Sequence, residues 1–180
     1  GRGIAVVATT YRFSAEAPFP AAVEDVRAAL DWVRSRADHY GFDPDRTALW
    51  GGSAGGYLAA LVGVTGVRPL GRPPRLLGVE RLVDPTPPAA VITQYAVVDP
   101  PHLPVDGLPG SETTVATTAA AIAPFFTGTR VPTAVTDHLG DAATAPSFLV
   151  MHGDADDRVG PEQGRRLHTA LLRAGGRAEF

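Results

Sequence analysis

Gly51-Gly52-Ser53-Ala54-Gly55 constrains this chain more than any other stretch. The apolar run Thr47-Ala48-Leu49-Trp50 precedes it, and a good helix former, Tyr57 to Val62, follows. A strand that passes into a helix through a glycine-flanked serine needs a very sharp turn. Side chains two residues before and after the serine are expected to collide there, and Gly51 and Gly55 carry none; Gly52 completes the elbow. The strained backbone at Ser53 then pushes its hydroxyl out at the sheet edge, and the N–H of Ala54 faces the same spot. Five such residues also make an ordinary solvated βα turn. The strand before and the helix after favour a presented nucleophile.

The rest of the chain alternates in the same way. Apolar runs predict strands near 3–10, 47–51, 89–98 and 147–151, with the start of another at the C-terminal end. Val23, Val26, Leu30, Val33, Ala37 and Tyr40 recur every three or four residues, which predicts one helix to about His39, stopped by Gly41. Further helices are expected from the elbow to about Val64, near 114–124, and after Pro161. Residues 65–88 are rich in Pro, Gly and Arg and read as loop. Strand and helix in alternation give an α/β fold, a mostly parallel sheet with helices on both faces.

Bulk properties exclude several classes. The chain has 180 residues, enough for one domain with a real core, and 44% hydrophobic against 19% charged residues describes a globular protein. Net charge is −3, so there is no basic footprint for nucleic acid. All 16 cationic residues are arginine, and they are scattered. With no cysteine, disulfides and thiolate metal sites are excluded. No run has the length of a membrane span. The cytoplasm is the expected location, and no metal or organic cofactor is implied.

A second constellation follows the run at 147–151: His152-Gly153-Asp154-Ala155-Asp156-Asp157. A carboxylate just past the C-terminal end of a parallel strand stands on the rim where open α/β sheets place their sites. Four ordered stretches now carry a resemblance: Tyr11-Arg12 through Glu16 to Pro18-Phe19-Pro20, Tyr40-Gly41-Phe42-Asp43-Pro44-Asp45-Arg46, Gly51 to Gly56, and Phe148 to Asp156. The chain resembles the α/β-hydrolase superfamily in its esterase/lipase branch, closest to hormone-sensitive-lipase-like and feruloyl-esterase-like carboxylesterases. The resemblance implies that Ser53 is the nucleophile and Asp156 the triad acid, with Ala54 in the oxyanion hole. Asp154 and Asp157 read as loop residues. Asp99, after the third strand, stands where some hydrolases carry the acid, but Asp99-Pro100-Pro101 reads first as a turn.

Two parts of the family pattern are missing. The triad histidine should follow the acid. His168 does, but it lies inside the last helix. His152 is expected to brace its loop, and His39, His102 and His138 precede the acid. The histidine is therefore expected beyond residue 180, and the family's His-Gly-Gly loop before Gly1. Residues 1–180 are thus expected to be one hydrolase domain, incomplete at both ends and nearly inactive alone. A strand missing between those of Ile4 and Thr47 would leave a gap in mid-sheet. The implied activity is hydrolysis of a small carboxylic ester through an acyl-enzyme. Leu103, Val105, Leu108, Phe125 and Phe126 border an acyl pocket or simply pack the core. A prolyl-oligopeptidase-type peptidase and a non-catalytic hydrolase-like binding protein are the alternatives.

Overall fold

The computed structural model describes residues 3–66, 70, 86–140 and 145–180. Much of the stretch read as loop at 65–88 lies outside the described residues. Four strands form one sheet: β1 (Ala48–Gly52), β2 (Ala90–Gln94), β3 (Ser147–Met151) and β4 (Ala178–Glu179), in the order β1-β2-β3-β4. Every pairing is parallel. Register aligns Leu49 with Val91 and Phe148, and Gly52 with Gln94 and Met151. The three main strands therefore end level, and the loops that leave them share one rim.

The helices are α1 (Ala21–Ser35), α2 (Ala37–Tyr40), α3 (Ala54–Thr65), α4 (Glu112–Phe126) and α5 (Glu162–Arg173). Residues 57–65 of α3 are all buried, because this helix lies between the sheet and α1. Leu58 and Leu61 at its centre are fully buried, each contributing roughly 1.5–3 kcal/mol. Val23 and Val26 of α1 cover α3, and Leu167 and Leu171 of α5 join the same core beside Phe148 and Val150. Arg27 is buried with them; its guanidinium donates to Glu24 and to the Thr65 hydroxyl, which keeps a desolvated cation partnered. The motif around Arg12 also has a structural task. Arg12 grips the Asp25 carboxylate through Nε and Nη2, at 2.9 and 2.7 Å, and pins the N-terminal turn to α1.

Some expectations change. The helix predicted to run to His39 breaks after Ser35 and resumes as the single turn α2, which Gly41 ends at φ +69°. Tyr40, counted in the buried stripe, is exposed. The strand predicted at 89–98 stops at Gln94, because Tyr95 turns the chain at φ +40°. The largest correction concerns residues 3–10. They form no strand, and Val6 is 84% exposed. Their apolar run is strand-like, but among the described residues β1 pairs only with β2, so the run joins no ladder there. The gap expected beside the strand of Thr47 is thus an open edge.

The parallel α/β sheet is as expected. Among the described residues its helices cover one face, the one carrying Val91, Phe148 and Val150. The opposite face presents Trp50, Leu149 and Met151 to solvent, with Trp50 at 68% exposure.

Candidate active site

Ser53 leaves β1 with φ +50° and ψ −121°, a conformation that only glycine adopts without strain. Two bonds hold it there. The Ser53 N–H donates to the Gln94 carbonyl at 2.9 Å, and its own carbonyl accepts the Tyr57 N–H at 3.0 Å, opening α3. The side chain is exposed. Ala54 is the first residue of α3, where backbone N–H groups have no partner inside the helix.

The glycines serve the turn in an unexpected division. A Cβ on Gly51 would lie 2.2 Å from the Gly55 carbonyl oxygen, which no rearrangement of a side chain can relieve. A Cβ on Gly55 would meet nothing within 4 Å. The collision expected of Gly55 belongs instead to Gly56, whose Cβ would fall 2.7 Å from that of Ala96. The sharpness of the turn is therefore a backbone-on-backbone contact at Gly51. Tyr57 anchors the helix behind it: its hydroxyl donates to the Thr133 carbonyl, and burial pushes the phenol pKa far up.

The second loop leaves β3, two strands away. Asp156 separates clearly from its neighbours. One carboxylate oxygen, Oδ1, accepts the N–H groups of Arg158 and Val159, both at 2.9 Å. Oδ2 faces His152 Nε2 at 3.6 Å. Asp154 and Asp157 are exposed. His152 is buried and donates from Nε2 to the Val159 carbonyl at 2.7 Å, so it ties the two ends of the loop together. Since β1, β2 and β3 end level, Ser53 and the Asp156 loop rise from the same edge, two strand spacings or about 10 Å apart at their bases.

Asp99 is elsewhere. It is buried, with Oδ2 at 2.8 Å from His102 Nδ1 and 3.4 Å from Arg166 Nε. Gln163 accepts the N–H groups of Val98 and Asp99 and donates to Asp106 at 2.6 Å. Asp99 thus belongs to a polar network that fastens α5 to the segment after β2. The other histidines are occupied locally. His39 packs on Tyr40, His138 lies 2.8 Å from the Pro132 carbonyl, and His168 packs on Phe180. Among the described residues no histidine stands between Ser53 and Asp156. Leu103 packs in a small core with Val97, Val115 and Val159, and Val105 is exposed. Phe126 lines a cleft of about 260 Å³ with Pro100, Pro101 and Ile122.

The sequence reading missed Tyr95. It follows β2 directly, has a positive φ, and lays its ring against Gly52. Its signal is positional, the first residue past a strand that ends level with the elbow strand. An apolar run read through to Val98 conceals it.

A parallel sheet, a glycine-cleared serine turn and a carboxylate loop on the same rim define an α/β-hydrolase of the esterase branch. The chain belongs to the BD-FAE family, whose sequence profile matches residues 1–171. It is 31% identical to the esterase LipQ of Mycobacterium tuberculosis over 179 residues, covering 94% of this chain and 38% of LipQ. The carboxylesterase NlhH of the same organism is 44% identical over 69 residues, covering 38% of this chain and 21% of NlhH. Among solved structures, a truncated carbohydrate esterase from gut microbiota superposes with a TM-score of 0.71 at 29% identity, over 94% of this chain and 62% of that one. The esterase Est2 of Thermogutta terrifontis gives 0.65 at 26% identity, over 94% and 56%. The chain thus spans less than two thirds of the length of each of these relatives.

Proposed function

We propose that the protein containing this chain hydrolyses carboxylic esters of small molecules through an acyl-enzyme on Ser53. One observation carries the reading: an exposed serine held at φ +50° on the rim that also bears the fixed Asp156 carboxylate. Strain of this kind costs roughly 1–3 kcal/mol and persists where the surroundings impose it. The names of the relatives support an ester substrate.

In the proposed reaction the Ser53 Oγ attacks the ester carbonyl and gives its proton to a histidine supplied by the whole protein outside these 180 residues. Asp156 orients that histidine through Oδ2, since Oδ1 is already engaged by two N–H groups. The Ala54 N–H stabilises the oxyanion. The alcohol leaves with the proton, and water then releases the acid and restores Ser53. The proposed location is the cytoplasm; among the described residues no helix is long and apolar enough to cross a membrane.

A fluorophosphonate probe on the whole protein tests this. Covalent labelling that disappears in Ser53→Ala is the expected result. Labelling that survives the substitution, or no labelling at all, rejects it.

A further inference from the structure

We infer that Tyr95 is a specificity-determining residue of the Ser53 site, and that its phenol O–H favours esters carrying a hydroxyl or ether oxygen beside the scissile group. The inference rests on the esterase reading above. Its ground is the row of residues just past the strand ends. Gly52, Gln94 and Met151 are in register, so the next residues, Ser53, Tyr95 and His152, stand side by side. Two bonds extend the ladder into this row: Ser53 N–H to the Gln94 carbonyl at 2.9 Å, and Tyr95 N–H to the Met151 carbonyl at 2.8 Å. Tyr95 therefore occupies the middle strand, between the serine and the loop of Asp156. A substrate held between them lies over it.

Its conformation is costly. Among the described residues, Ser53 and Tyr95 are the non-glycine residues with positive φ, and they are neighbours in this row. An aromatic side chain gains nothing intrinsic from φ +40°. What the turn secures is the ring position: the phenol lies so close to the elbow that a Cβ on Gly52 would come within 2.8 Å of its oxygen. Gly52 leaves room for that ring one residue before the nucleophile.

The hydroxyl is also unengaged. Tyr95 is 47% exposed, and among the described residues its phenol oxygen makes no hydrogen bond, whereas the Tyr57 hydroxyl is bonded to Thr133. A tyrosine placed only for packing has no need of a free donor at the rim. A polar group that bonds a substrate oxygen discriminates against the analogue lacking it. One neutral hydrogen bond at a half-exposed site corresponds to about a fivefold preference.

The test compares two acetates of similar size, a mono-acetylated methyl glycoside and cyclohexyl acetate, in the whole protein. Tyr95→Phe keeps the ring and removes the hydroxyl. The expected result is a roughly fivefold fall in the ratio of kcat/KM for the glycoside over the cyclohexyl ester, with Ser53 still labelled by fluorophosphonate. An unchanged ratio with labelling intact overturns the role of Tyr95 and leaves the esterase reading standing. Equal losses on both acetates also overturn it, since they mark a general effect on the elbow. Failure of the unsubstituted protein to label overturns both.

Discussion

The elbow at Ser53 and the loop at Asp156 stand on one rim, but they are held by different physics. The elbow is fixed by exclusion. Gly51 has no side chain because the Gly55 carbonyl occupies the place of its Cβ, and Ser53 is left in a conformation it would not choose. The loop is fixed by satisfaction: Asp156 accepts two backbone N–H groups, and His152 closes the turn onto Val159. A turn held by exclusion leaves a signature in residue type. A turn held by hydrogen bonds leaves several carboxylates that look alike in sequence.

The largest expected effect separates reactivity from stability at the elbow. Ser53→Ala should lower ester hydrolysis by up to about 10⁶, as for a nucleophile in a triad, while the melting temperature holds. Ser53→Gly should do the same to activity and gain about 1 kcal/mol of stability by relieving the strain. A Ser53→Gly variant less stable than the parent would show that the serine side chain supports the turn. Next comes the acid. Asp156→Asn should cost about 10⁴ in turnover with little effect on folding. Asp154→Asn and Asp157→Asn should change little. Asp99→Asn should lower stability, because it breaks the network with His102 and Arg166, and leave fluorophosphonate labelling intact. If Asp99→Asn instead removes activity at unchanged stability, the acid has been misplaced.

A smaller effect tests the division of labour among the glycines. Gly51→Ala should destabilise by about 3 kcal/mol or more, since its Cβ meets backbone at 2.2 Å. Gly55→Ala, open to solvent and inside the first turn of α3, should be neutral or gain about 0.5–1 kcal/mol. Equal losses at the two positions in thermal unfolding would mean that the symmetric picture of the motif was right.

The same contrast explains what the sequence discloses. The elbow at Ser53 was legible because few backbones reconcile a strand end, a helix start and four glycines within the six residues 51–56. Asp156 is singled out in the sequence only through the resemblance, because Asp154 and Asp157 have the same chemistry; in the fold Asp156 alone of the three accepts backbone N–H groups among the described residues, and the other two are exposed. Residues 3–10 misled: a continuous apolar run announces a willing strand, but pairing is a property of the partner, and among the described residues no strand pairs with it. Tyr95 was hidden because its left-handed φ follows from register and ring placement, not from anything in its own propensity.

The smallest effect sets Asp156 against a carboxylate held by charge. Asp25 is partly buried, which alone would raise its pKa, but the hydrogen bonds and charge of Arg12 outweigh that and hold it below the ordinary carboxylate range. A depressed folded-state pKa means that the pairing contributes fully above the unfolded value, near 3.9, and is lost as pH falls through the lower folded value. Acid titration of stability should therefore show a decline below about pH 4 that Asp25→Asn reduces. Asp25→Asn should also lower stability at neutral pH by removing one partner of the Arg12 grip, and should leave the ratio of labelling to intact elbow unchanged. Should the acid decline persist undiminished in Asp25→Asn, other carboxylates carry it, and the Arg12–Asp25 pair is an anchor of position without weight in the pH dependence.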